Sequence, residues 1–178
     1  IVTLSSAGYK MGMILQTKKE GGGFDACDFL LDNLRPENFS SFHSYAKSKL
    51  GNDFFTQTLS SLLKKKYPKG PRPLTACLHP GVINTEITRN LSSFWQIVKF
   101  ILTPLMKLAL KTELEGAQCT LTVCCMPRDK LERHDGEYFS NCVPTPLLPP
   151  AAAPKSDSLR ELVWELSREK IKQVTGED

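Results

Sequence analysis

Tyr45 and Lys49 are the residues whose types and spacing most directly suggest chemistry in this sequence. On a helix, side chains at this spacing lie one turn apart on the same face. A phenol beside an ammonium is suited to general acid/base work, because a nearby positive charge favours the phenolate form. Alone, the spacing is equally compatible with a solvated helix face, so the surrounding elements must decide between the two interpretations.

Those elements predict a β-α-β unit. Residues 1–4 form a short β-branched apolar run that ends in the small residues Ser5, Ser6, Ala7 and Gly8. Apolar residues then recur at helical spacing over 41–67, and a second apolar strand at 74–78 stops at His79-Pro80-Gly81. Parallel strands end at one sheet edge, where ligands bind, so we expect the serines, Tyr45 and the 79–81 turn to converge there.

The rest of the sequence predicts further elements of one α/β domain spanning 1–178. A capping box at 112–115 opens a helix to about 126, a strand follows at 136–140, and a flexible linker at about 144–155 leads to an amphipathic helix over 158–174. The apolar segment 93–110 is too interrupted for a membrane span. We expect it to form two short helices over a pocket, with shallow membrane contact as the lesser alternative.

Composition narrows the class of protein. The chain has 178 residues, 40% of them apolar, and a net charge of +4, as in a globular domain with a sizeable core. The run Lys64-Lys65-Lys66 closes a helix, where cations complement the helix dipole, and no aromatic residues interleave with it, so we expect no nucleic-acid partner. Six cysteines show no metal-ligand spacing. We expect no metal site, and mostly buried, reduced thiols.

With these motifs in order, the chain resembles the short-chain dehydrogenase/reductase superfamily, most closely its retinol dehydrogenase-like and WW-domain-oxidoreductase-like members. The resemblance rests on the serine strand, the 45–52 segment, His79-Pro80-Gly81, and the later segments 111–118 and 136–139. It implies the C-terminal portion of a Rossmann-like parallel sheet with flanking helices. The glycine-rich turn and N-terminal strands of the family have no counterpart in the chain.

The resemblance also implies roles for individual residues. Tyr45 would be the acid/base that exchanges a proton with the substrate oxygen. Lys49 would support Tyr45 and hold the nicotinamide ribose. Ser6, rather than Ser5, would hydrogen-bond the substrate oxygen.

The remaining implied contacts concern the cofactor, which would be NADP or NAD with NADP favoured. Backbone groups after Pro80 and Gly81, near Ile83, would meet the nicotinamide carboxamide, and the Thr85 hydroxyl would assist there or at the phosphates. Tyr45 and Lys49 would also contact the cofactor.

The function implied is NAD(P)-dependent interconversion of a hydrophobic alcohol and its carbonyl, such as a retinoid, steroid or lipid aldehyde. The alternative is a catalytically inactive fragment or an interaction protein that binds no cofactor. The resemblance is compatible with a homodimer formed through the helix carrying Tyr45, and with a location in the cytoplasm or on the cytoplasmic face of an internal membrane.

Two departures from the family pattern bear on cofactor binding. The residues that grip the adenine half and select NAD or NADP belong upstream of the serine strand, and Ser6 and Tyr45 stand 39 positions apart, which indicates an insertion. We therefore expect the 178-residue chain alone to bind nicotinamide cofactor weakly. Calorimetric titration with NADPH checks this expectation, and micromolar affinity would contradict it.

Overall fold

The computed structural model describes residues 1–9, 41–81, 83, 111–147 and 156–176. Four strands and four helices make up this described part of the chain. The apolar segment 93–110, Thr85, and residues 148–155 of the predicted linker lie outside the described residues.

The strands form one sheet in the order β1-β2-β3-β4. They are β1 (Val2–Leu4), β2 (Ala76–His79), β3 (Tyr138–Ser140) and β4 (Val143–Pro144). β1, β2 and β3 are parallel, as predicted, whereas β4 pairs antiparallel with β3. The sheet is therefore mixed, and its last strand ends at Pro144, the first residue of the predicted linker.

Helix α1 (Ser41–Lys66) lies between β1 and β2 in the chain and confirms the predicted β-α-β order. Lys64, Lys65 and Lys66 occupy its last turn, where they complement the negative end of the helix dipole. Pro68 follows and offers no backbone donor with which to continue the helix.

Helix α2 (Glu113–Cys124) begins at the predicted capping box. Thr112 Oγ1 accepts a hydrogen bond of 3.2 Å from the Glu115 amide, while Glu115 accepts one of 2.7 Å from the Thr112 amide. These bonds satisfy amides that have no partner within the helix. A short helix α3 (Arg128–Glu132) and the C-terminal helix α4 (Ser156–Thr175) complete the described elements.

Alternation along the strands divides the core between the two faces of the sheet. Cys77 pairs with Tyr138 and belongs to a cluster with Leu50 and Phe54 of α1. Leu78, one residue on, pairs with Phe139, and both belong to the cluster that α2 covers on the opposite face. Because successive strand residues point to opposite faces, this register places α1 and α2 on opposite sides of the sheet.

Helix α4 packs on the α1 side. Leu159 is 1% exposed within that cluster, and the Trp164 and Phe55 rings stack with centroids 5.4 Å apart. Arg160 donates a 2.9 Å hydrogen bond to Gln57 of α1. These contacts all come from the first half of α4, so that half anchors the helix.

The cysteines differ from the expectation that most are buried. Of those that the structure describes, Cys77 and Cys119 are buried, Cys142 is half-buried, and Cys124 and Cys125 are exposed. The exposed pair lies at the end of α2, past the part of the helix that packs on the sheet. Among the described helices, none has the length and apolar character needed to cross a membrane.

Asp135 joins α1 to the residues that precede β2 and β3. Its carboxylate accepts hydrogen bonds from the Thr75 amide at 2.8 Å and from Arg72 at 2.9 Å. Its backbone carbonyl accepts from Ser60 and Lys64 of α1. Burial raises the pKa of Asp135, but the hydrogen bonds from Thr75 and Arg72 and the charge of Lys64 together lower it by a larger amount. The net shift of this pKa is therefore downward.

Replacing Asp135 with alanine is expected to lower the free energy of unfolding by about 3 kcal/mol, because the change strands buried donors on Thr75 and Arg72. Urea unfolding followed by circular dichroism measures the loss. Glu132→Ala is the matched control, since Glu132 forms an exposed ion pair with Arg128 and should cost less than about 0.5 kcal/mol. Equal losses of unfolding free energy in the two variants would contradict the structural role assigned to Asp135.

Candidate functional site

The site is built where β1 and β2 end side by side. The Ser5 amide donates to the Leu78 carbonyl over 2.8 Å and continues the parallel pairing beyond β1. The serines after β1 and the turn after β2 therefore lie on one edge of the sheet, as the predicted topology requires.

The two serines face different surroundings. Ser5 is 3% exposed, and its hydroxyl lies 3.0 Å from both the Lys49 carbonyl oxygen and Asp53 Oδ2 of α1. Ser6 is half-buried, and its Oγ accepts a 3.2 Å hydrogen bond from the Gly8 amide. Ser5 is thus occupied in joining β1 to α1, while Ser6 lies in the more open position.

The hydroxyl of Ser6 and the ring of Tyr45 border the same small space beside Gly8. A Cβ atom placed on Gly8 would lie 3.4 Å from Ser6 Oγ and 3.5 Å from Tyr45 Cε1. Tyr45 is 36% exposed, so part of this residue is accessible from solvent. Glycine at position 8 lets the serine turn approach the tyrosine closely.

Lys49 lies one helical turn from Tyr45, on the same side of α1. Its Nζ is 5.6 Å from the centre of the Tyr45 ring and donates a 3.2 Å hydrogen bond to the Leu4 carbonyl. Asn52 donates to the same carbonyl over 2.8 Å. An ammonium carries three donors, so the bond to Leu4 orients Lys49 and leaves capacity for the hydroxyls of a ribose.

Asp53 is a part of this site that the sequence reasoning did not identify. It is 1% exposed and lies in the apolar face of α1 between Leu50 and Phe54. Burial raises its pKa to about 6, although hydrogen bonds from Cys77 and Ser5 and the charge of Lys49 act in the opposite direction. A charged residue flanked by core positions was the signal that could have indicated it.

The side chain of Lys111 covers the turn that follows β2. Gly81 has φ of +98°, so the backbone favours glycine, and a Cβ there would displace the Lys111 side chain, whose Cδ would lie 2.7 Å away. Ile83 forms a parallel bridge with Lys111, and its side chain occupies the space that a Cβ at Gly116 would need. Gly116 thus allows α2 to pack directly against Ile83.

Ser6, Tyr45 and Lys49 are therefore brought together, and Pro80, Gly81 and Ile83 follow the neighbouring strand at the same edge. Thr85 lies outside the described residues. Ammonium, phenol and hydroxyl donors beside a glycine turn fit the nicotinamide and ribose end of a dinucleotide. Within the described ranges, no His, Cys, Asp and Glu side chains group in a way that could hold a metal ion.

A separate cavity of about 570 Å³ lies at the opposite edge of the sheet. Ser60 and Lys64 from the end of α1, Gly136 before β3, and 144–147 contribute to its lining. None of the predicted site residues borders it. Its position before the strands, rather than after them, separates it from Ser6, Tyr45 and Lys49.

The buried Asp53 makes a prediction about pH. Folding raises its pKa from 3.8 to about 6, so the native state holds this proton more tightly than the unfolded chain does. The resulting stability is complete below about pH 4 and is lost as the pH rises through about 6. The Asp53→Asn variant has no ionisable group at this position. Between about pH 4 and pH 6, the unfolding free energy of the original chain should therefore fall by about 3 kcal/mol relative to that of the variant.

Urea unfolding of both proteins between about pH 4 and pH 7 measures that difference. Glu165→Gln is the control, because Glu165 is exposed and should show no such dependence. A difference between Asp53→Asn and the original chain that stays constant with pH would contradict the assignment.

Comparison with known proteins matches nearly the whole chain to one group. It is 29% identical to mouse retinol dehydrogenase 14 over 171 residues, covering 94% of this chain and 42% of that protein. Identity to bovine retinol dehydrogenase 12 is 30% over 172 residues, 95% of this chain and 44% of that protein. Identity to mouse retinol dehydrogenase 11 is 34% over 146 residues, 80% and 37% respectively.

The chain therefore spans less than half the length of these relatives and matches their C-terminal part. No model of a protein family matches it. The predicted α/β class and the predicted resemblance are both confirmed. The chain is thus homologous to retinol dehydrogenases 11, 12 and 14, which are members of the short-chain dehydrogenase/reductase superfamily.

Proposed function

We propose that these residues form the catalytic C-terminal part of an NAD(P)-dependent oxidoreductase that interconverts a hydrophobic alcohol and its carbonyl. The observation that carries the proposal is the shared space of Ser6 Oγ and the Tyr45 ring beside Gly8, with Lys49 one turn away. An acid/base, a hydrogen-bond donor and a supporting cation are the groups that such a reaction needs around one oxygen atom.

Tyr45 acts on the proton of the substrate oxygen. In the direction of reduction its hydroxyl gives a proton to the oxygen as negative charge develops there, and in oxidation it takes the proton back. Lys49 Nζ lies 5.6 Å from the centre of the Tyr45 ring and so places a positive charge near the ring that carries negative charge after the proton has left. The bond between Lys49 and the Leu4 carbonyl keeps this charge near the ring throughout.

Ser6 orients the substrate oxygen by hydrogen bonding. Its hydroxyl already accepts from the Gly8 amide, which leaves the hydroxyl hydrogen to be donated to the substrate. Ser5 is a poor candidate for this role, because its hydroxyl is buried against α1. This difference supports the assignment of Ser6 that the resemblance implies.

The cofactor would lie along the same edge. A bound nicotinamide supplies or accepts the hydride, which is chemistry that protein side chains do not provide. Lys49 would hold the ribose hydroxyls, and the backbone around Gly81 and Ile83 would meet the carboxamide. Lys111 and Gly116 support that stretch from the side of α2. NADP is the favoured form by resemblance.

The substrate class follows from the relatives, which are named as retinol dehydrogenases. We assign this chain a retinoid or a similar hydrophobic alcohol and carbonyl pair. The unit of activity would be the chain together with an N-terminal region such as those relatives carry, since the matched part is less than half of each.

The test is a chimera in which residues 1–178 replace the matching part of mouse retinol dehydrogenase 14. The chimera is expected to reduce retinal with NADPH. Tyr45→Phe should lower kcat by a factor of about 100 or more, because the proton donor is lost. Ser6→Ala should lower kcat by roughly 100-fold, as expected for loss of one donor to a developing oxyanion.

Ser5→Ala is the matched control for Ser6→Ala. It removes a hydroxyl from the same turn but should alter stability more than kcat, since Ser5 bonds to α1. Circular dichroism establishes that each variant is folded. A folded chimera with no activity, or a Tyr45→Phe variant with unchanged kcat, would overturn the proposal.

A further inference from the structure

The turn between β3 and β4 carries a cysteine where the backbone favours glycine. Ser140 pairs with Val143, so the hairpin loop consists of Asn141 and Cys142 alone. Both have positive φ, 50° and 65°. Two-residue hairpins with this backbone prefer asparagine followed by glycine, and a side chain at the second position is disfavoured. A cysteine at a strained position is grounds for seeking a chemical role.

A second thiol lies directly beneath this turn. Cys119, on α2, is 2% exposed within the core cluster on that side of the sheet, and Cys142 packs against that cluster. Cys142 is also close enough to Cys119 to influence the pKa of its thiol, which burial raises. One thiol is half-buried at the surface and the other is buried behind it.

A cation lies close to the pair. Lys111 Nζ donates a 3.2 Å hydrogen bond to Asn141 Oδ1, in the residue before Cys142, and its charge also acts on the Cys119 sulfur. Burial nevertheless raises the pKa of the Cys119 thiol above its ordinary value, so this thiol stays protonated. The half-buried Cys142, which peroxide can reach, is therefore placed as the attacking group and the buried Cys119 as the resolving one.

We propose that Cys142 and Cys119 form a peroxide-reactive dithiol site. The Cys142 thiolate attacks one oxygen of hydrogen peroxide, the O–O bond breaks, and with one proton taken up the products are Cys142 sulfenic acid and water. The Cys119 sulfur then attacks the Cys142 sulfur and releases a second water, leaving a disulfide. Two thiols are oxidised as one peroxide is reduced to two waters. A thiol reductant restores the pair.

This site is distinct from the proposed redox chemistry of Tyr45. It lies over α2 and the β3–β4 turn, and it is connected to Gly81 only through Lys111, whose side chain covers that glycine. A disulfide would tie the turn to α2 and hold Asn141, the acceptor for Lys111, in place. Its detection requires no cofactor and no enzyme assay.

The experiment is peptide mapping of the 178-residue chain after treatment with limiting hydrogen peroxide, without reductant. Trypsin releases Cys119 in peptide 112–128 and Cys142 in peptide 134–155. Because peptide 112–128 also holds Cys124 and Cys125, the mapping uses the Cys124→Ser, Cys125→Ser variant. The two peptides are expected to appear joined, to separate on reduction, and to account for most of the oxidised Cys142.

Cys142→Gly is the matched control, because glycine suits the turn and should preserve the fold while removing the link. A repeat of the peroxide treatment in urea should scatter the links over the other cysteines. Three outcomes would overturn the proposal. These are Cys142 left reduced, Cys142 joined to Cys27 or Cys77 in place of Cys119, and identical link patterns with and without urea.

Discussion

The junction between the end of β1 and the middle of α1 is the constraint on which the site depends. The Leu4 carbonyl receives hydrogen bonds from both Lys49 and Asn52, and the Ser5 hydroxyl bonds to the Lys49 carbonyl. These contacts fix both the rotation of the helix and its height above the strand. With the junction set, Tyr45 one turn earlier falls beside Ser6 without any direct bond between the two.

The same junction places one hydrogen-bond donor between two acceptors. The Ser5 hydroxyl has one hydrogen but faces two acceptors, the Lys49 carbonyl and Asp53 Oδ2, each at 3.0 Å. A protonated Asp53 resolves this, because it can itself donate to Ser5 while Ser5 donates to Lys49. The raised pKa of Asp53 is consistent with that arrangement. Asp135 solves the opposite problem at the far end of α1, where bonds from Thr75 and Arg72 keep a buried carboxylate ionised.

The similarity to retinol dehydrogenases bears on the proposed function and also shows how much of those proteins the chain represents. The matched part carries the residues proposed to handle the proton, and it amounts to less than half of each relative. A part of this size can hold these residues in place, because each parallel strand contributes its own turn to the shared edge of the sheet. The groups on β1, α1 and β2 can thus be arranged by contacts among themselves.

Most of the element order could be predicted from sequence because it depends on local patterns. The strand at 1–4, the helix carrying Tyr45 and Lys49, and the capping box at Thr112 were all predicted and are confirmed. These patterns are the ending of strands at small residues, helical periodicity and capping residues. Each acts over a few residues, so it can be recognised in the sequence without knowledge of the fold. The same holds for the expectation that Ser6, Tyr45 and the turn at Gly81 share one edge.

Tertiary structure decided what depends on register and packing. The pairing of β1 with β2 turned Ser5 toward α1 and left Ser6 in the open, although the two residues are identical in type. Burial of Asp53, the stem of Lys111 over Gly81, and the meeting of Cys119 with Cys142 each join residues far apart in the chain. The sequence by itself determined which groups are present and which elements carry them. Only the packing of those elements on the sheet decided which groups meet, because such contacts depend on distances that local patterns do not encode.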